Sequence, residues 1–203
     1  MAIRMKVWID FVCPYCCLGE AAIRQATAGL DVEVVWMPFE LRPPPAPPLR
    51  IRGEYFQNAW RQVIYPLAER LGITMRMPAL DPQPYTRTAF EGLQLARERG
   101  LAAEYVRGVF GALFERGLDI GRIDVLAGVA RDAGLPEEEL IRAQEEGRYA
   151  EAHLAELRAA EINGIRAVPT IIAGTQRIEG VPDPERLRQL LQSELQRAGA
   201  DAV

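Results

Sequence analysis

The chain has 203 residues, 49% of them hydrophobic and 26% charged, the mix of an ordinary globular protein. Its 24 basic and 28 acidic residues give a formal net charge of −4, which argues against a nucleic-acid binder working through a strong positive field. No apolar run approaches the roughly 18 residues of a membrane-spanning helix, so neither nucleic acid nor membrane is an expected partner.

Residues 5–11 (MKVWIDF) are β-branched and aromatic and fit a buried strand. Three cysteines follow at once: Cys13, Cys16 and Cys17 are the chain's full set and fall in a five-residue window. Pro14 stands where the first turn of a helix tolerates proline. Leu18, Ala21, Ala22 and Ile23 continue a helical stripe to about Ala28, and Gly29 is a suitable stop. Val32, Val34, Val35 and Trp36 read as a second strand. The opening is therefore a βαβ unit with parallel strands and a right-handed crossover. The first strand runs straight into the cysteines, without the pattern of a secretory signal, so a cytoplasmic location is expected.

Residues 42–48 (RPPPAPP) must be extended, polyproline-type chain. They serve as a stiff surface connector or, in a functional reading, as a ligand for a proline-binding domain. From Glu54 to about Ile162 the pattern is almost entirely helical. Tyr55, Ala59, Val63 and Leu67 repeat at helical spacing, with Pro66 placed to kink that helix. Pro84 opens the next helix, which Gly100 ends. Tyr105, Val109, Phe110, Leu113 and Phe114 mark another. Asp124 caps one that stops near Gly134, and Pro136 with Glu137, Glu138 and Glu139 starts the next. His153 and Leu157 lie on the last helix of the block. Residues 168–173 (VPTIIA) then form a strand, Gly174-Thr175 a turn, and Arg177-Ile178-Glu179 a second strand. Pro184 starts a final amphipathic helix through Leu187, Leu190, Leu191 and Leu195.

Cys13-Pro14-Tyr15-Cys16 is a C-x-x-C at a strand-to-helix junction, where redox chemistry is favoured. Free N–H groups and the dipole of a helix start stabilise a thiolate on the first cysteine. The thiolate is the attacking species in thiol–disulfide exchange, and a second cysteine one turn on can reach back to resolve the mixed disulfide. Two other readings stay open. Paired thiols bind zinc, but a structural site wants four ligands, and the single histidine, His153, is far away in sequence. Buried thiols can also be inert. Cys17 should project from a different helix face, as a small buried hydrophobe or as a third redox thiol. Asp10 and Glu40, at strand ends near the cysteines, are candidate proton carriers for the Cys16 thiol, or simply satisfy loop backbone. His153 reads as a surface or helix-packing residue, and Trp8 and Trp36 as core.

Several segments carry a family resemblance: DFVCPYC followed by Leu18-Gly19, PFELRP at 38–43, Leu113-Phe114 through Gly117-Leu118-Asp119-Ile120, and GIRAVPT at 164–170. The chain resembles the thioredoxin-fold oxidoreductases of the DsbA family. It is closest in pattern to the FrnE-like branch, beside 2-hydroxychromene-2-carboxylate isomerases and kappa-class glutathione transferases. The resemblance implies an α/β thioredoxin fold (βαβ…ββα) with a large all-helical insertion. Residues 1–50 and 165–203 would form the thioredoxin-like domain and residues 51–164 the insertion. It implies a thiol–disulfide oxidoreductase in which Cys13 attacks and Cys16 resolves. Val168-Pro169 would be a cis peptide facing the cysteines and offering backbone to an extended substrate, with Pro14 and Tyr15 beside it. Substrates would be protein or small thiols and disulfides, glutathione among them, with no cofactor or metal. Homodimers are frequent in such relatives.

The sequence departs from the pattern at Cys17, where an aromatic is usual, and at Tyr85 and Phe90, where the branch often carries Asn and His. The isomerase and transferase relatives use a serine near the first cysteine position. Cys13 favours dithiol chemistry over a glutathione-dependent isomerase or transferase, which stands as the rival enzyme class. A thiol metal-binding module is the non-enzyme rival.

Overall fold

A computed structural model describes residues 2–200. Strand β1 (Ile3–Ile9) leads into helix α1 (Pro14–Thr27) and strand β2 (Val32–Pro38), the expected βαβ unit, with β1 and β2 parallel. Gly29, at φ 72°, turns the chain out of α1 in a conformation that L side chains rarely adopt. Helices then fill the space up to the last two strands: α2 (Glu54–Ala59), a π-helical turn (Trp60–Ile64), α3 (Tyr65–Leu71), α4 (Arg87–Glu98), α5 (Ala102–Phe114), α6 (Ile123–Asp132), α7 (Glu137–Glu145) and α8 (Ala150–Ile162). Strands β3 (Thr170–Ala173) and β4 (Gln176–Glu179) form the expected hairpin, and α9 (Pro184–Ala200) closes the described chain. The sheet order is β2-β1-β3-β4, with β3 antiparallel to both neighbours. This is the DsbA-like thioredoxin arrangement, with a mixed sheet and a long helical segment between β2 and β3.

Side chains alternate along β1, one face buried from Met5 to Ile9 and the other only at Trp8, with Arg4 and Lys6 exposed. Met5, Val7 and Ile9 join the main core with α1 and α9, while Trp8 points the other way against Ala160 and Ile165. One apolar cluster continues from β1 and α1 into the helical segment. Its aromatic spine starts at Phe11, whose ring centroid lies 4.6 Å from Phe90 and 5.3 Å from Phe110. Phe114 continues it to Trp60 at 5.9 Å. The residue that follows Asp10 is therefore locked to α4 and α5, which fixes the loop entering α1. Among the described residues no helix is long and apolar enough to cross a membrane.

Three local expectations are corrected. Residues 42–48 are not a straight polyproline rod: the Pro44-Pro45 peptide is cis and the Ala46 N–H donates to the Pro43 carbonyl at 3.0 Å, so the chain turns there. The helical stripe at Tyr55, Ala59, Val63 and Leu67 is the wrong face. Tyr55 is 80% exposed, whereas Trp60, Ile64, Ala68 and Leu71 are buried. The π-helical turn lies within this buried stripe, which runs one residue on from the expected one at Trp60, Ile64 and Ala68 alike. It stands just before Pro66, whose nitrogen has no hydrogen to give the preceding turn. Finally, α4 begins at Arg87, not at Pro84. Residues 81–83 are tied to the Pro-rich connector instead: the Ile51 N–H donates to Asp81 at 3.1 Å, and the Gln83 N–H to the Leu49 carbonyl at 2.9 Å.

Candidate active site

Cys13 is the N-cap of α1, in extended conformation, and Pro14 follows in the first turn. The Cys13 carbonyl accepts the N–H groups of Cys16 at 3.0 Å and Cys17 at 3.3 Å, which starts the helix and stacks Cys16 one turn above Cys13. All three cysteines are free thiols. The Cys13 thiol lies 3.8 Å from the carbonyl oxygen of Val168, 155 residues away in sequence. Val168-Pro169 is cis, and Pro169 rests on α1: a Cβ placed on Gly19 would lie 3.1 Å from the Pro169 Cγ. The helix start and the turn into β3 are thus packed against each other with the first thiol between them.

The two ends of the C-x-x-C differ electrostatically. The Cys16 thiol donates toward Cys13 and holds its ionisation below the usual thiol range, helped by the N–H groups of Cys16 and Tyr15, against the opposing effect of burial. Hydrogen bonds to the sulfur thus carry most of the effect that helix position alone suggested. Cys16 is fully enclosed, and burial pushes its thiol well above the ordinary range. Burial also pushes the Cys17 thiol up, with the Glu20 and Glu115 carboxylates adding to the rise. Cys17 is 9% exposed and packs in the core, as a small hydrophobe would.

Asp10 is enclosed directly behind the pair. Its backbone N–H donates to the Cys16 sulfur at 3.4 Å, and its Oδ2 accepts the Leu41 N–H at 2.7 Å. Burial lifts its carboxyl from 3.8 to about 6, against the Leu41 and Val12 N–H groups, and the neighbouring Glu40 charge adds to the rise. Oδ1 makes no well-formed hydrogen bond, and the Thr86 hydroxyl helps the carboxylate from a poorer geometry. Glu40 does not turn to the thiols. Its Oε1 lies 2.5 Å from Nε2 of His153 on α8, a residue with no exposed surface. His153 is thus a helix-packing residue and not a surface one. Its ring stacks on Phe90 with centroids 5.7 Å apart.

Pro14 and Tyr15 line a cleft of about 260 Å³ with Cys13 at its edge. Leu49, Ile51, Tyr55, Phe56 and Trp60 form its other walls, and no charged side chain lines it. Sequence reasoning places a helical face over the cysteines to form a groove, but names none of its walls beyond Pro14 and Tyr15 and misses the Glu40–His153 pair. Adjacent Tyr55 and Phe56 at a helix start were the available signal for the groove. The pair had none beyond His153 being the chain's single histidine. Among the described residues no group of three or more His, Cys, Asp or Glu side chains is gathered to hold a metal ion.

Comparison with known proteins places the chain by family and fold. The pattern of the DSBA-like thioredoxin domain matches residues 4–192. The uncharacterized protein YwbO of Bacillus subtilis is 39% identical over 196 residues, covering 96% of this chain and 98% of its own. Among solved structures, a probable DsbA oxidoreductase of Streptomyces coelicolor superposes with a TM-score of 0.84 at 24% identity, covering 95% of this chain and 90% of that one. A 2-hydroxychromene-2-carboxylate isomerase superposes at 0.77 with 18% identity, covering 99% and 100%. The cytosolic disulfide reductase DsbM of Pseudomonas aeruginosa, solved with glutathione, superposes at 0.70 with 14% identity, covering 96% and 100%. These three likenesses establish the fold, and the match along residues 4–192 the family: the chain belongs to the DSBA-like thioredoxin-domain proteins.

Proposed function

We propose that this protein is a thiol–disulfide oxidoreductase in which Cys13 attacks and Cys16 resolves. The observation that carries the reading is the Cys13 thiol, favoured as thiolate at the start of α1 and 3.8 Å from the Val168 carbonyl. In the reducing direction the Cys13 thiolate displaces one sulfur of a substrate disulfide, which leaves as a thiolate, and a mixed disulfide forms. Cys16 then loses its proton to the Asp10 carboxylate and attacks the Cys13 sulfur. The second substrate thiolate leaves, and Cys13 and Cys16 end as a disulfide, two electrons having passed to the substrate. The reverse sequence oxidises a dithiol. Val168 and Pro169 offer the edge along which an extended substrate lies, since the Val168 carbonyl sits beside the reactive sulfur. Pro14 and Tyr15 lead into the uncharged cleft, which suits an apolar group next to the reacting sulfur.

The test is insulin reduction and dithiol oxidation by wild-type, Cys13→Ser and Cys16→Ser proteins, with a titration of the pair against glutathione. Activity lost with Cys13→Ser supports the reading. A potential near about −120 mV marks an oxidant and one near about −270 mV a reductant. Tight glutathione binding without dithiol turnover would favour the isomerase or transferase class instead. Stoichiometric Zn²⁺ or Cu⁺ on the purified protein would favour a metal-binding module.

A further inference from the structure

Glu40 and His153 meet across 113 residues in a space from which solvent is excluded. A buried ionisable pair is costly to assemble, and nothing in the packing of α8 against β2 calls for one. The other ring nitrogen, Nδ1, is buried without a hydrogen-bond partner, so the ring does not staple two elements together through both ends. Its one polar contact is Glu40. The residue after Glu40 gives its N–H to Asp10 at 2.7 Å, and Asp10 gives its own N–H to the Cys16 sulfur. The order in space is therefore His153, Glu40, Leu41, Asp10, Cys16. Phe90 stacks on the imidazole and packs at a tilt against Phe11, the residue beside Asp10, so both ends of this series touch one ring.

We infer that His153 is a positioning residue for the proton exchange of Cys16, acting through Glu40 on Asp10. The inference rests on the proposed dithiol chemistry. Asp10 and Glu40 are two carboxyls in one enclosed region, and the Glu40 charge pushes the Asp10 carboxyl up. A ring nitrogen held against Glu40 balances one of them and leaves Asp10 available to take the Cys16 proton. It also holds the backbone from which the Leu41 N–H reaches Asp10. The remaining charges nearby are already matched. Glu156, on α8, pairs with Arg97 of α4 at 2.5 Å, and on α4 itself Arg87 pairs with Glu91 at 2.8 Å. Tyr149, at the start of α8, donates to Glu98 at 2.7 Å. On the α1 side, Asp10 faces the Cys13 and Cys16 thiols.

The step can be read directly with the reduced full-length protein and an excess of 5,5′-dithiobis(2-nitrobenzoate) in a stopped-flow instrument. Cys13 releases one coloured thiolate on forming the mixed disulfide, and Cys16 releases the second on closing the pair. The pH dependence of the second phase reports the proton acceptor. In His153→Phe the stacking on Phe90 is kept and the contact to Glu40 is lost. The Glu40 charge then faces Asp10 without its partner, and the midpoint of the second phase moves to higher pH. Glu40→Gln removes the neighbouring charge, and the midpoint moves to lower pH. Adding His153→Phe to Glu40→Gln moves it no further, and His153→Gln, which keeps a donor, stays nearer wild type. The first phase moves less than the second in all four, because hydrogen bonds weigh more on the Cys13 thiol than the Asp10 charge does.

Equal shifts from His153→Phe with and without Glu40→Gln would overturn the inference, as would no shift in either background. Glu40→Gln serves if His153→Phe does not fold, since an unmoved midpoint there removes the link through Glu40. A wild-type protein that releases one equivalent only lacks the resolving step, and both readings fall. Two equivalents with unmoved profiles in the variants remove this inference alone.

Discussion

Asp10→Asn should stabilise the protein at neutral pH while impairing its chemistry. Asp10 is 1% exposed, and burial lifts its carboxyl from 3.8 to about 6. In the unfolded chain the group ionises near its ordinary value. Below about pH 4 it is protonated in both states and contributes nothing. As the pH rises to 6 the unfolded chain gives up this proton before the folded one does, so stability falls. Above 6 the folded protein carries the full cost of a buried carboxylate. A difference of about two pH units at 1.36 kcal/mol each is about 3 kcal/mol. The neutral amide avoids that cost and keeps an oxygen to accept the Leu41 N–H. It adds an NH₂ group on the side where Oδ1 lacks a well-formed bond, which costs about 1 kcal/mol. The expected net gain is about 2 kcal/mol at pH 8 and none, or a slight loss, at pH 4. Urea denaturation of the two reduced proteins at both pH values measures it. The same variant should slow the second thiolate release, because an amide cannot take the Cys16 proton. A stability difference that is the same at pH 4 and pH 8 would refute the reasoning, since Asp10 would then titrate alike in the folded and unfolded chains.

Three further outcomes are expected. A short pulse of iodoacetamide at pH 6, read by mass spectrometry, should label Cys13 well before Cys16 or Cys17, because Cys13 alone is held below the usual thiol range and the other two are pushed above it; equal labelling of Cys13 and Cys16 would remove the assignment of roles. Cys17→Ala should retain exchange activity, and a loss as deep as that of Cys13→Ser would make Cys17 a working thiol. Gly92→Ala should cost about 1–3 kcal/mol in thermal denaturation, because the new Cβ would lie 2.1 Å from the hydroxyl oxygen and 2.8 Å from the Cζ of Tyr105, a side chain with no exposed surface. Tyr105→Phe deletes that oxygen, which has no hydrogen-bond partner. It should therefore recover part of the loss.

The readable parts of this chain were those in which a short stretch decides its own conformation. The strand at 5–11 reads from β-branched and aromatic side chains, and the helix behind it from Pro14 and the small residues that follow. Chemistry concentrated in Cys13-Pro14-Tyr15-Cys16 was visible for the same reason, since the backbone N–H groups that favour a thiolate lie within the same turn. Helix starts read less well. Thr86 and Arg122 precede α4 and α6 where Pro84 and Asp124 were expected to open or cap them. The face of α2 and α3 reads one residue off because two apolar stripes, Tyr55-Ala59-Val63-Leu67 and Phe56-Trp60-Ile64-Ala68, lie side by side, and periodicity alone cannot choose between them.

The sequence by itself determined the order of strands and helices, the C-x-x-C at the start of α1, and the proline that enters β3, because each rests on local backbone preference and on side-chain chemistry. Tertiary structure alone decided what surrounds that pair. Val168 reaches Cys13 across 155 residues, and Glu40 reaches His153 across 113. The uncharged cleft assembles from the helix start, the Pro-rich connector and α2. Burial likewise lifts the Cys16 thiol and the Asp10 carboxyl, while the Cys16 hydrogen bond holds the Cys13 thiol down, and Phe11, Phe90 and Phe110 pack together beside the loop. Desolvation is a property of the packed whole, so no window of sequence could contain it.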